Sequence, residues 1–286
     1  MATTFILPTP SNFTADGPTS LLQSDPGIVT LVANLEGILA GLCICLSFGF
    51  ICYMAYSSRS LQAVFTKKNS ILLCYLLSIS ATFMALSVRT VSQTKSASIA
   101  LSIFAALNNI SYLWYSFERS ADILRIQSPH WVYRTFIWVW RITVAVLLSP
   151  ILIIAIPSKN EDIVFWGRVV AVTACAGALL FDAYLVHSCC QYLMNRTLEI
   201  IEVKGPDAKS TEFYPIVARH TIVGAFGSVG GLACYVGGMI VSNRLSGTSD
   251  LYLFYLLQVL TDLCGILVAS TLVIMKIRLV AIRNKK

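Results

Sequence analysis

Apolar residues run almost unbroken over 29–56, 70–88, 97–118, 136–156, 163–188, 217–241 and 251–275, and polar residues collect in the short stretches between. Each run approaches or exceeds the roughly 20 residues a helix needs to cross the ~30 Å hydrocarbon layer of a bilayer. Bare backbone N–H and C=O groups are not tolerated in lipid, and these runs lack the alternation of a barrel strand, so each is predicted to be a helix. The expected fold class is all-α: a polytopic membrane protein with a seven-transmembrane helix bundle. Its organisation is an extracellular disordered tail over 1–28, a helical transmembrane domain over 29–275 and a short basic cytoplasmic tail over 276–286.

Composition sharpens this picture. Hydrophobic residues make up 56% of the 286 and charged residues 12%, with a mean hydropathy of +0.74. Soluble domains are about a quarter charged, so no part of the chain is left over for a separate soluble domain.

Charge sets the orientation. Arg59, Lys67, Lys68, Arg119, Arg125, Arg134, Arg196, Lys204, Lys209, Arg219, Lys276, Arg278, Arg283, Lys285 and Lys286 border one face of the predicted bundle. The other face has Arg89, Lys95, Lys159 and Arg244. The positive-inside rule then puts the N-terminus outside and the C-terminus in the cytoplasm. The net charge of +7 is a cytoplasmic rim beside anionic lipid, and no nucleic-acid partner is needed to explain it. Residues 1–27 carry no Lys or Arg and no long apolar core, so the first span is expected to act as its own insertion signal. The plasma membrane is the expected location, with an endomembrane as the alternative. Asn12, in Asn12-Phe13-Thr14, is the candidate glycosylation site on the outer tail.

All nine cysteines fall in the apolar runs or at their ends, so no extracellular disulfide is expected. Cys189 and Cys190, at the inner end of the fifth span, are candidates for palmitoylation. Beyond them, Leu193 to Val203 keeps a helical apolar period and is expected to prolong the fifth helix until Gly205-Pro206 breaks it. Such an extension is either a docking surface for a cytoplasmic partner or a solvated connector. The sixth span holds Gly224, Gly227, Gly230, Gly231, Gly237 and Gly238, a composition that lets helix backbones approach closely.

Polar side chains inside the spans are few: Asn34, Glu36, Asn108, Asn109, Asp182, His187, Gln258 and Asp262. Such groups are costly in lipid and usually face a bundle interior. Asn108 and Asp262 stand at similar depth. If their faces meet, they form a buried polar cluster for water, a proton or a small cation; otherwise each makes a structural hydrogen bond. Asp182 and His187 are five apart and do not share a helix face well. Three histidines, two of them at the cytoplasmic margin, do not make a zinc site. No Ser-His-Asp spacing points to a hydrolase, and no Lys lies within the seventh span for a retinal Schiff base. No enzyme activity, metal or cofactor is expected.

Seven spans with this orientation resemble the G-protein-coupled receptor superfamily. Glu118-Arg119-Ser120 is similar to the acidic-Arg-aromatic triplet that closes the third helix of rhodopsin-like members, and Asn108, three turns earlier, is similar to a polar position of their buried sodium site. Trp140 and Pro150 have the separation of the family's fourth-helix Trp and Pro. The pattern departs at Ser120, which is not aromatic, and in the second span, which has no acid. In the seventh, Asp262-Leu263-Cys264-Gly265-Ile266 stands in place of an Asn/Asp-Pro-x-x-Tyr. The resemblance implies a GPCR-like receptor in which Glu118 and Arg119 form the coupling switch. The ligand would be small or lipidic, and the partner a heterotrimeric G protein or another cytoplasmic effector. The alternatives are a multi-pass transporter or channel built on the midplane cluster, or a structural membrane protein.

Overall fold

The structure, a computed structural model, describes residues 26–58, 62, 64–92, 94–127, 129–155, 161–204, 213–242 and 248–284. Asn12, most of the outer tail and the Gly205-Pro206 break lie outside the described residues. The described chain forms seven helices: α1 Pro26–Ser58, α2 Lys67–Ser92, α3 Lys95–Gln127, α4 His130–Ala155, α5 Glu161–Lys204, α6 Phe213–Ser242 and α7 Thr248–Asn284. Each contains a stretch long and apolar enough to cross a membrane. The protein is therefore a multi-pass integral membrane protein of the all-α class.

Local chemistry sets several helix starts. Pro26 opens α1 and Pro215 sits in the first turn of α6, where a missing N–H costs nothing. Thr94 caps α3, its hydroxyl accepting from the Ala97 amide at 3.3 Å. All seven helices run past the apolar spans read from the sequence at one end or both, α3 by nine residues to Gln127. The Leu193–Val203 extension is part of α5, which continues unbroken to Lys204. Residues 276–284 are the last turns of α7, so helix rather than a separate element follows position 275.

Successive helices pack on one another, and α7 returns to α1, which closes the ring. Inside it α3 also packs on α5, and α2 touches α7, whereas α3 and α7 are not neighbours. Cross-links between helix ends show that α2 and α3 run antiparallel and that α7 runs parallel to α1. Lys67 at the start of α2 meets Glu118 late in α3, and Asn284 at the end of α7 meets Ser57 at the end of α1. One end of the bundle thus gathers Lys67, Arg125, Arg196 and Arg278, and is called the basic end below.

The core is built by Phe50, Leu72, Tyr75, Phe83, Leu113 and Leu185, all almost wholly buried. By contrast, only 6% of the most apolar stretch of α4 is buried, against 56% for α2. α4 is therefore a peripheral helix whose Trp131, Trp138 and Ile142 face outward, as suits lipid. Two serines of α2 fix its register on α1. Ser80 Oγ donates to the Ala40 carbonyl at 3.0 Å, and Ser87 Oγ, seven residues on, donates to Ala33, seven residues back, at 2.8 Å. Small residues at both α1 positions let the backbones come that close.

α6 and α7 form the most extensive helix pair. A Cβ at Gly227 would lie 2.9 Å from Val268 Cγ2 and 3.5 Å from the Cys264 carbonyl oxygen. At Gly230 it would lie 3.4 Å from Cys264 Sγ, and at Gly237 3.5 Å from Leu257 Cδ1. These glycines form the close-packing face of α6 against α7.

Candidate functional site

Three polar networks tie the helices together at successive depths. The first lies where α1, α2 and α7 meet, away from the basic end. Glu36 is wholly buried. Its Oε2 accepts from Thr90 Oγ1 of α2 at 3.1 Å, and its Oε1 accepts from Gln258 Nε2 of α7. The Arg89 guanidinium of α2, itself 5% exposed, lies within Coulombic range. A carboxyl in an apolar interior needs such donors or a nearby cation, since losing water is otherwise prohibitive. Tyr255, Gln258 and Asp262 follow one another at intervals of three and four, which puts them on a single face of α7. Each is buried, and the Tyr255 hydroxyl, Gln258 Oε1 and Asp262 Oδ2 have no hydrogen-bond partner among the described residues. Glu36 lies within Coulombic range of both Tyr255 and Asp262, and Arg89 within range of Tyr255.

The second network joins α3, α5 and α6 at the middle of the bundle. Asp182 of α5 is 1% exposed. Oδ2 accepts from the Tyr112 hydroxyl at 2.5 Å and Oδ1 from Ser116 Oγ, the two donors standing one turn apart on α3. Ser228 of α6 lies 3.4 Å from the Tyr112 hydroxyl and donates to its own Gly224 carbonyl at 3.1 Å. The Tyr75 ring packs on that of Tyr112 with centroids 5.6 Å apart, walling off the network on the α2 side. A single carboxyl thus holds α3 to α5, with α6 at its edge.

The third network is at the basic end. Glu118 and Arg119 are adjacent in sequence but diverge around α3. Glu118 forms an ion pair with Lys67 of α2 at 2.9 Å, whereas Arg119 Nη1 donates to Thr221 Oγ1 of α6 at 3.2 Å. Arg119 Nε and the Ser120 hydroxyl are buried without a hydrogen-bond partner among the described residues. Asn284 Nδ2 binds both the Ser57 hydroxyl, at 2.5 Å, and the Ser57 carbonyl, at 3.0 Å, and Tyr53 reaches the Ile277 carbonyl at 3.4 Å. These bonds tie the last turns of α7 to α1.

The residues singled out in the sequence are therefore distributed differently from their expected pairings. Asn108 and Asp262 are both buried, but no hydrogen bond joins them, and their helices are on opposite flanks of α2. The Asn108 amide has no side-chain partner among the described residues, and Asp262 faces the Glu36 cluster. Asp182 points inward while His187 is exposed. Cys189 is buried in the core and Cys190 is half-buried, so Cys190 is the better placed of the two for an acyl chain.

The Glu36–Gln258 and Asp182–Tyr112 contacts were not anticipated from the sequence. One signal for the second was present. Asn108, Tyr112, Ser116 and Ser120 recur every four residues, a polar stripe that follows one side of α3, and all four are buried. Comparisons with protein-family models, with curated proteins and with solved structures find no match.

Proposed function

We propose that this membrane bundle is a receptor of GPCR-like type. A small or lipidic ligand acting from the side away from the basic end would shift α6 and α7 against α3. A cytoplasmic effector, in the first instance a heterotrimeric G protein, would read that shift at the basic end. The observation that carries this reading is the Arg119–Thr221 bond. It is one charge-assisted hydrogen bond between α3 and α6, in the range of about 1.5–3 kcal/mol for hydrogen bonds to charged groups. A bond of that size can be exchanged by a modest differential affinity for two helix arrangements. Glu118, held by Lys67, leaves Arg119 free to trade Thr221 for a partner group. The plasma membrane, with the basic end inside, is the matching location.

In a G-protein reporter assay, Arg119→Ala is expected to abolish coupling while surface expression persists. Thr221→Val, which removes the α6 acceptor, is expected to raise basal signalling severalfold. A wild type that activates none of the G-protein classes tested would sink the proposal.

The buried Glu36–Asp262 pair favours a second reading, a proton- or ion-coupled transporter. Reconstituted liposomes separate the two: a pH- or ion-driven flux that Asp262→Asn removes would identify transport.

A further inference from the structure

We propose that the α1–α7 junction is a proton-binding site, in which Asp262 holds one hydrogen ion as a neutral carboxylic acid beside an ionised Glu36. The inference goes beyond both readings above and does not depend on which is right.

Burial, hydrogen bonding and the number of charges lead to it. Glu36 and Asp262 are both more than nine-tenths buried and lie within Coulombic range of one another. Gln258, one turn from Asp262 on the same face of α7, touches Glu36 directly, which brings the two carboxyls together at this junction. Groups facing the pair can be named for every helix packed there. α1 contributes Glu36, α2 contributes Arg89, and α7 adds Tyr255. α6 lines the neighbouring face of α7 with Gly227 and Gly230 and has no charged residue between His220 and Ser242. Among the described residues Arg89 is the one cation in range of Glu36. One guanidinium balances at most one carboxylate, whatever else it contacts. Two carboxylates in so apolar a setting would leave at least one negative charge uncompensated, and such a group neutralises instead.

The hydrogen bonds assign the proton. Glu36 Oε1 accepts from Gln258, and Oε2 shares the single Thr90 hydroxyl hydrogen with the Leu86 carbonyl, so Glu36 is the better supplied with donors of the two carboxyls. Asp262 Oδ2 receives no donor among the described residues. A metal ion fits poorly, because it needs several converging oxygens, whereas a proton needs one. Among the described residues no three His, Cys, Asp or Glu side chains converge to hold a metal. The step is simple: an Asp262 carboxylate takes one hydrogen ion from water and becomes a carboxylic acid. Separating α7 from α1 would hydrate Asp262 and release that ion, so any such motion is linked to pH.

Infrared spectroscopy of the purified protein in nanodiscs at neutral pH tests this directly. The wild type is expected to show a carboxylic-acid C=O band that moves down in D2O, and Asp262→Asn is expected to lose that component. The thermal midpoint, read by tryptophan fluorescence, supplies the second measurement. A proton bound in the fold and released on unfolding makes stability fall as pH rises. The wild-type midpoint is therefore expected to decline from about pH 6 to about pH 9, with a flatter profile in Asp262→Asn. Should Asp262→Asn not fold, Asp182→Asn is the comparison, expected to keep both the band and the pH slope; loss of both there would overturn the assignment to Asp262. A wild type with no carboxylic-acid band, a band that Asp262→Asn leaves intact, or the same pH slope in both proteins would overturn the proposal.

Discussion

Removing both hydroxyls that donate to Asp182, in Tyr112→Phe combined with Ser116→Ala, is expected to destabilise the bundle by about 3–5 kcal/mol, the usual cost of stranding a buried charged group. Asp182 is almost wholly buried, and these two α3 side chains supply its hydrogen bonds. Each single substitution leaves one donor in place and is expected to cost only about 1 kcal/mol. The double substitution should therefore exceed the sum of the singles. Hydrogen bonds between transmembrane helices often measure only about 0.6 kcal/mol, because the unfolded reference finds other partners. The magnitude here distinguishes a replaceable bond from a carboxyl with nowhere else to turn. Unfolding of the purified protein by SDS titration, run as a double-mutant cycle, gives the answer. Additivity to within about 0.5 kcal/mol would show that Asp182 finds other donors when α3 offers none.

The second large effect is steric. Gly227→Leu is expected to cost about 3 kcal/mol or more, or to prevent α6 and α7 from docking, since overpacking a tight interface typically costs about 1–3 kcal/mol for smaller insertions. The first added carbon alone would stand 2.9 Å from Val268 Cγ2, and the backbone carbonyl of Cys264 bars the way beside it. A side-chain methyl can rotate, but a helix carbonyl cannot, so a larger group has no escape. Gly224, with nothing within 4 Å of its Cβ position, is the control. Gly224→Ala is expected to be neutral or to stabilise by up to about 1 kcal/mol through helix propensity. Thermal midpoints of Gly227→Ala, Gly230→Ala and Gly224→Ala should therefore rise in that order. If Gly227→Ala matches Gly224→Ala, the close approach of α6 to α7 is wrong.

The number of helices and the places of their apolar stretches were legible in the sequence because the bilayer imposes one rule along the whole chain: apolar where it is crossed, polar where it is not. The α5 extension was legible for a related reason, the helical period from Leu193 to Val203. Depth was legible too, by counting from the span ends. Azimuth was not. Asn108 and Asp262 share a depth, and so do Glu36 and Gln258, each ten residues past the first residue of its helix. Only the closure of the ring through α1 and α7 decides that the second pair meets and the first does not. That choice belongs to side-chain volumes at the interfaces, among them the α6 glycines and the alanines that receive Ser80 and Ser87. Glu118 and Arg119 show the same effect within one helix. Neighbours in sequence are about 100° apart around the axis, since a turn takes 3.6 residues. One therefore meets α2 and the other α6.

Asp182 and Asp262 each stand twenty-two residues before the last residue of their helices, Lys204 and Asn284. At 1.5 Å per residue, that is a rigid arm of about 33 Å, so a pivot of about 5° at either carboxyl swings the distant tip by ~3 Å. An adjustment too slight to open a gap in the membrane interior would thus become a displacement large enough to make or break a contact at the tip.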